Sequence, residues 1–399
     1  MSRSLARTGP ETFSQREIGQ IGRLLPYLGC DRQDLFIDGV PVARLWNGRH
    51  PLLLYLPRRA VDNYYALRTA FALHFDVSVH CALKACYVPG VLHALRAAGA
   101  GIEIMSDLEW RLAHRLGFTS RRIIADSVAR PTGHLQRLLA APEVLLGVHG
   151  AEELERTEWH ARRLGVRTTV AIRVNPLPAD DFFSDRSKLG STPHEAYALL
   201  ERAAVSPHLD LAGLHAHQLC RCTHVEQFAA LAERMGDLAA AFATAHGTRL
   251  RVINLGGGLE ARNMLERAGS FCEHFADAAH DALRTVPRGY RLVLEPGRFV
   301  FADAAIVLTD VISACHKDGQ DWLITAISGN VLRPTSDRSY PPIPLRLPHP
   351  GQAWRQWHVA DSTCTPSRLW LDVLLPADTA AHGLALLNTG VYTADRIAA

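Results

Sequence analysis

Val77-Ser-Val-His-Cys-Ala-Leu-Lys84 is a β-rich run, and a longer helical stretch closing near Gly99 separates it from a second one, Gly101-Ile-Glu-Ile-Met-Ser106. The same alternation continues to residue 297. Strands are predicted near 77–84, 102–105, 121–126, 144–148, 168–175, 209–217, 250–256 and 290–295. Helical stretches such as Ala151–Gly165 and Val225–His246 lie between them, with Gly99, Gly117 and Gly165 as stop signals. Strands joined eight times over by helical crossovers predict an α/β protein, a (β/α)8 TIM barrel rather than an open sheet.

Outside this region the texture changes. Leu35-Phe-Ile-Asp-Gly-Val-Pro-Val-Ala-Arg-Leu45 reads as a hairpin around Asp38-Gly39. After about residue 305 come strand-like runs, Ala305–Ile312, Trp322–Ile327 and Leu369–Leu375, with Pro-rich turns and little helical periodicity. These predict a second, mainly β domain formed by both termini. The expected division is 1–50 as an N-terminal segment joining the β domain, 51–305 as the barrel and 306–399 as the C-terminal β domain. No internal repeat is visible.

Composition narrows the function. The 399 residues are 48% hydrophobic and 21% charged, and the net charge is +3. That is the balance of a globular chain, long enough for two or three domains. No Lys/Arg run marks a nucleic-acid or membrane partner. The first twenty residues carry Arg3 and Arg7 without an apolar stretch behind them, and no run approaches the roughly 18 apolar residues of a membrane span. Eight scattered cysteines then read as reduced thiols of a cytoplasmic protein.

In a barrel, chemistry sits at the C-terminal strand ends. Lys84 ends strand one; alternation puts it with His80 and Ala82 toward the lumen. There burial would lower its pKa and suit it to Schiff-base chemistry. Taken alone, it reads more readily as a surface lysine at a strand end. Strand seven runs into Asn254-Leu-Gly-Gly-Gly258, a plain loop or a place where backbone N–H groups approach a phosphate. Strand eight ends in Glu295-Pro-Gly-Arg298, and glycine-rich phosphate sites recur at strands seven and eight. Strand six ends in His215-Ala-His217-Gln-Leu-Cys220-Arg-Cys222, ligand types that zinc accepts. A barrel metallohydrolase using His215 and His217 is therefore a rival reading, against which no second ligand cluster is apparent at other strand ends.

Together these motifs resemble the fold-type III pyridoxal-phosphate decarboxylases, which include diaminopimelate and ornithine decarboxylases. The likeness runs in order over roughly residues 35–395. It includes Gly101–Ser106, Arg173-Val-Asn-Pro176, Ser187-Lys-Leu-Gly190, Leu332-Arg-Pro334, Ser362-Thr-Cys-Thr365 and Gly390-Val-Tyr-Thr393. The resemblance implies an alanine racemase-like barrel plus a β domain, pyridoxal 5′-phosphate as cofactor, an amino-acid substrate, no metal, and a homodimer with shared active sites. Residue by residue, it implies that Lys84 carries the cofactor covalently and that His217 stacks on its ring. Gly256, Gly257, Gly258, Arg298 and Tyr392 would bind the phosphate, and Glu295 would face the pyridine nitrogen. Cys364 would return a proton from the partner subunit after CO2 leaves.

The departures concern the substrate. After its stacking His the family usually has a small apolar residue, Gly and Ser, where this chain has Gln218, Leu219 and Cys220. The family follows its Cys with an acid that holds a distal ammonium, often with another three positions on. Here those positions are Thr365 and Arg368. Arg333 is retained, with Asp337 where the diaminopimelate enzymes place a tyrosine. The expectation is an amino acid with an anionic or acyl-modified far end, of the siderophore or antibiotic type, rather than ornithine, lysine or diaminopimelate. A catalytically inactive homologue acting as a binding protein is the other alternative, opposed by retention of Lys84, Glu295, Arg298, Cys364 and Tyr392.

Overall fold

The computed structural model describes residues 21–141, 143–177, 188–329, 331–332, 340–364, 366 and 368–392. The chain divides into two compact units, one from residues 1–59 and 301–399 and the other from 60–300.

The first unit begins with β1 (Leu28–Asp31), β2 (Asp34–Ile37) and β3 (Val40–Pro41), a small antiparallel sheet. Ile37 pairs with Val40 across a two-residue turn, and Asp38 and Gly39 both take positive φ, 50° and 76°. Asp-Gly supplies that conformation at little cost, so the hairpin forms where the sequence predicts it. Strand β4 (Leu52–Tyr55) follows.

The second unit is the barrel. Its strands are β5 (Val77–Ala82), β6 (Gly101–Ile104), β7 (Ile123–Ala125), β8 (Leu145–Val148), β9 (Thr168–Arg173), β10 (Leu209–His215), β11 (Val252–Asn254) and β12 (Arg291–Leu294). They close in sequence order, and Leu292 of β12 pairs in parallel with Val77 of β5. Strands buried on both faces need continuous apolar runs, which Ile102, Ile123, Ile124, Val170, Ile172 and Ile253 provide, each at most 2% exposed. Helices Ala151–Leu164 and Val225–His246 end at Gly165 and Gly247 in the left-handed conformation, where glycine carries no Cβ penalty. Among the described residues, no helix is long and apolar enough to cross a membrane.

The remainder of the first unit holds β13 (Ala305–Thr309), β14 (Val311–Lys317), β15 (Gln320–Thr325), β16 (Ile343–Pro344), β17 (Trp354–Asp361), β18 (Arg368–Pro376) and β19 (Leu384–Leu386). They form two four-stranded sheets, β16-β19-β13-β4 and β14-β15-β17-β18. Val307, Leu384 and Leu386 share one apolar core with Leu323, Trp357, Val359 and Leu375. The predicted run Ala305–Ile312 is broken at Asp310, and its halves enter different sheets. A boundary at residue 51 would assign β4 to the barrel, but Leu52–Tyr55 pairs antiparallel with Ala305–Leu308 and belongs to the β unit. Within that unit Arg59 Nη2 meets the buried Asp303 Oδ2 at 2.7 Å, joining its N-terminal and C-terminal stretches.

Candidate active site

Lys84 is not part of its strand. Strand β5 ends at Ala82, and Lys84 lies in a 3-10 turn, Leu83–Ala85. Strand alternation therefore stops short of it. The turn itself sets its place, with Ala82 N donating to Pro296 O at 3.1 Å. The lysine turn and the Glu295-Pro-Gly turn are thus hydrogen-bonded neighbours. Lys84 Nζ donates to Glu103 Oε1 at 3.3 Å, and Glu103 is fully buried on β6. Burial pushes the Glu103 carboxyl up to about 8, against the Lys84 ammonium, which pulls it down. A carboxyl of that kind can hold or release a proton near neutrality beside the lysine amine.

Beside it lies a network of buried charge. Asp126, just past β7, accepts from His149 Nε2 at 2.9 Å and from the Arg173 guanidinium at the end of β9. His215, at the end of β10, lies between two carboxylates, with Nδ1 3.4 Å from Asp126 Oδ1 and Nε2 3.3 Å from Glu295 Oε2. Burial opposes a charge on His215, but Glu295 and Asp126 outweigh it and raise the imidazole to about 9. His217, two residues on, behaves oppositely. Its burial brings it down to about 4, although its Nδ1 lies 3.8 Å from Glu295 Oε2. One strand end therefore presents a charged histidine inward and a neutral one at the mouth. Against burial, which acts to raise it, the charge on His215 holds Glu295 well below the usual carboxylate range.

The glycine loop is tied to this network by Asn254. Its Nδ2 donates to Glu295 Oε1 at 2.7 Å, and its Oδ1 accepts the Gly256 N–H at 2.8 Å. Gly256 and Gly258 have φ of 67° and 99°. A Cβ at Gly256, Gly257 or Gly258 would come within 2.3, 2.3 and 2.2 Å of the carbonyl oxygens of Ala216, Glu295 and Leu219. Only glycine fits all three positions. The following Glu260 accepts from Arg221 Nε at 3.0 Å and faces Arg298 Nε at 3.5 Å. Arg298 is thereby held beside the loop, 9% exposed, at the start of the short helix Arg298–Phe301.

Lys84, His217, Gly256, Gly257, Gly258, Glu295 and Arg298 thus gather at one end of the barrel, as the sequence predicts. Cys364, Arg368 and Tyr392 belong to the β unit. Cys364 is exposed in the connection from β17 to β18, and Arg368 opens β18 with its guanidinium 5.8 Å from the Trp322 ring centroid. Arg333, Asp337 and Thr365 lie outside the described residues. The sequence alone gives Glu103, Asp126, His149, Arg173 and Asn254 no role. Two of them, Asp126 and His149, are lone polar residues following apolar strands, and that is the one signal the sequence offers for them.

Two groups could be held here. His215, His217 and Glu295 place ligand atoms within 4.8 Å of one another, so the sequence's missing third ligand is Glu295. Yet both ring nitrogens of His215 already face carboxylates, and a protonated imidazole does not ligate a metal. Pyridoxal phosphate fits better. Glu295 Oε2 is buried and completes no hydrogen bond, which suits a protonated ring nitrogen. The three glycines leave room for backbone to approach a phosphate, Arg298 stands beside them, and Lys84 offers a partly exposed amine.

The family model for the pyridoxal-dependent decarboxylase, pyridoxal binding domain, matches residues 59–302. The chain is 30% identical to diaminopimelate decarboxylase of Pseudomonas aeruginosa over 75% of its length and 73% of the relative's. It is 27% identical to the Aquifex aeolicus enzyme of the same name, over 79% and 76%. The fold is shared with lysine/ornithine decarboxylase complexed with cadaverine from Vibrio vulnificus, at TM-score 0.75 and 21% identity, covering 89% of this chain and 92% of that one. The protein therefore belongs to the fold-type III pyridoxal-phosphate-dependent amino-acid decarboxylases and is a carboxy-lyase.

Proposed function

We propose that this enzyme α-decarboxylates an amino acid whose far end carries carboxylate or acyl functionality, rather than ornithine, lysine or diaminopimelate. The observation that carries this reading is the charge of the β17–β18 connection. From Ser362 to Leu371 its single charged side chain is Arg368. The nearest preceding acid, Asp361, is engaged locally, accepting from Gly329 N at 2.6 Å and Thr363 Oγ1 at 2.9 Å. An unpaired buried ammonium costs several kcal/mol, so a diamine-type far end should be rejected, whereas guanidinium binds carboxylate in bidentate fashion. Arg333 would assist Arg368, with Thr365 lining the pocket and Asp337 orienting one of the arginines. Intermediates of siderophore or antibiotic biosynthesis with citryl- or glutamyl-type ends have this chemistry.

The bound cofactor supplies an electron sink for the pair left behind when CO2 departs. The protein's own groups do the rest. Lys84 holds the cofactor and exchanges a proton with Glu103. Glu295, kept ionised by His215, would keep a proton on the cofactor's ring nitrogen. His217, neutral, would lie against the cofactor without competing for charge. Gly256, Gly257, Gly258 and Arg298 bind the phosphate, with Tyr392 closing over it. Cys364 delivers the proton that replaces the lost carboxylate, from the second subunit of a cytoplasmic homodimer.

Steady-state decarboxylation of ornithine, lysine, arginine, diaminopimelate and carboxylate-bearing analogues tests the substrate reading. Turnover confined to the last group is the expected result. A kcat/KM near ~10⁴ M⁻¹s⁻¹ or above for any of the first four overturns it. Mixing Cys364→Ala with Lys84→Ala chains should restore activity if the two residues meet across subunits.

A further inference from the structure

Gln218 follows His217, is buried, and commits its whole amide to one residue. Its Oε1 accepts the Leu177 N–H at 2.9 Å, and its Nε2 donates to the Leu177 carbonyl at 2.9 Å. Leu177 lies four residues beyond Arg173, whose Nη2 donates to the His217 carbonyl at 3.3 Å. The end of β9 and the residues after it therefore hold the His217 carbonyl and the Gln218 side chain, one contact point on each. On its other side the same segment forms a wall of the glycine loop. Gly257 N donates to His217 Nδ1 at 3.3 Å, Cys222 N donates to Gly258 O at 2.8 Å, and Glu260 N donates to Cys222 O at 3.1 Å. The carbonyl that excludes a Cβ at Gly258 belongs to Leu219, the residue after Gln218. What fixes Gln218 thus fixes the His217 ring and one side of the loop together.

We infer that Gln218 is a positioning residue, whose amide clamp on Leu177 holds the His217 ring and the glycine cradle in the geometry that receives the cofactor. This rests on the proposed reading of His217 and Gly256–Gly258 as cofactor contacts. Loss of the side-chain amide would leave both polar groups of Leu177 unsatisfied in a part-buried setting, while a side chain of similar length would keep the packing.

The test uses the full chain, without ligand and reconstituted with pyridoxal phosphate. In the ligand-free wild type, hydrogen exchange at the Leu177 amide should be slow; exchange as fast as an open loop overturns the clamp without any variant. Gln218→Met should speed that exchange at least about tenfold, weaken cofactor binding about tenfold and reduce the visible circular dichroism of the cofactor at saturation. Gln218→Glu keeps the acceptor, loses the donor and should fall between. A Met variant with wild-type cofactor affinity and wild-type circular dichroism overturns the inference. His217→Ala separates the two levels of the argument. If His217→Ala leaves cofactor binding unchanged, the underlying site reading fails. If His217→Ala weakens it and Gln218→Met does not, only the role of Gln218 fails.

Discussion

At the N-terminal end of the barrel, Arg251 reaches Asp210 at 2.6 Å and Arg291 reaches Asp76 at 2.9 Å, with 56% of each arginine side chain in solvent. At the C-terminal end, Asp126, His215 and Glu295 meet at 3.3–3.4 Å with no more than 3% of any of them exposed. The same kinds of charge are present at both ends, and the difference is water. Exposed pairs gain little, about 0–1 kcal/mol, because solvent already stabilises each partner. Buried charges are tolerated only when each has an opposite neighbour, and removing one partner costs about 3–5 kcal/mol. A fold has no stability reason to bury four or five ionisable groups at one end of a barrel. Here an ionised Glu295 lies beside a neutral His217, and His215, between two carboxylates, carries the balancing charge.

The sharpest way to break this comparison is at Lys84. Lys84→Ala should lower decarboxylation by about 10⁴-fold, the upper range for one positioned proton-transfer group, and abolish borohydride-fixable cofactor. A retained, reducible covalent bond in that variant would move the anchor to another residue.

Glu295→Gln comes next. It keeps the Asn254 contact but leaves His215 with a single carboxylate. A loss of about 3 kcal/mol in denaturant unfolding is expected, together with a drop in turnover of about 10²–10³-fold. A melting curve unchanged from wild type would show that the mouth charges are as dispensable as those at the opposite end.

The pH dependence of the ligand-free protein sharpens the contrast further. His215 is raised from 6.5 to about 9 on folding, so its stabilisation is complete below pH 6.5 and is lost as pH rises toward 9. Glu103, raised from 4.5 to about 8, also binds a proton more tightly when folded, and stability falls as pH climbs between those values. His217 and His80, both lowered to about 4, act in the opposite sense, so stability rises between pH 4 and 6.5. Thermal melting should therefore decline from pH 6.5 to 9, and His215→Asn should flatten that decline. A variant that declines as steeply as wild type would remove the charge from His215.

The smallest effect belongs to the other end. Arg251→Ala should change stability by less than about 0.5 kcal/mol and leave turnover unaltered. A tenfold loss of activity there would mean that the two ends are coupled through the barrel.

The barrel was legible because closure needs eight apolar runs at regular intervals, and such runs show in a linear sequence. The glycine loop and Glu295-Pro-Gly-Arg298 were legible because each is local. The sequence assigns no role to Asp126, His149, Arg173 and Asn254 because each stands singly at the end of a different strand, and only the circular closure of β5 to β12 brings them together. For Lys84 the sequence pattern gives only part of the reason. Alternation points it inward, yet the residue sits on a turn just beyond the last paired strand position. The break at Asp310 was invisible for a related reason. An unbroken β-rich run does not say which sheet each half will join.

The connection between β17 and β18 has an anchored stem, since Asp361 is held by Gly329 N and Thr363 Oγ1, and an exposed tip around Cys364. Arg368, the single charged side chain from Ser362 to Leu371, is exposed where β18 begins. Such a stretch can drift over generations, or be randomised in a library, and a lineage could try new substrates there while inheriting its chemistry unchanged.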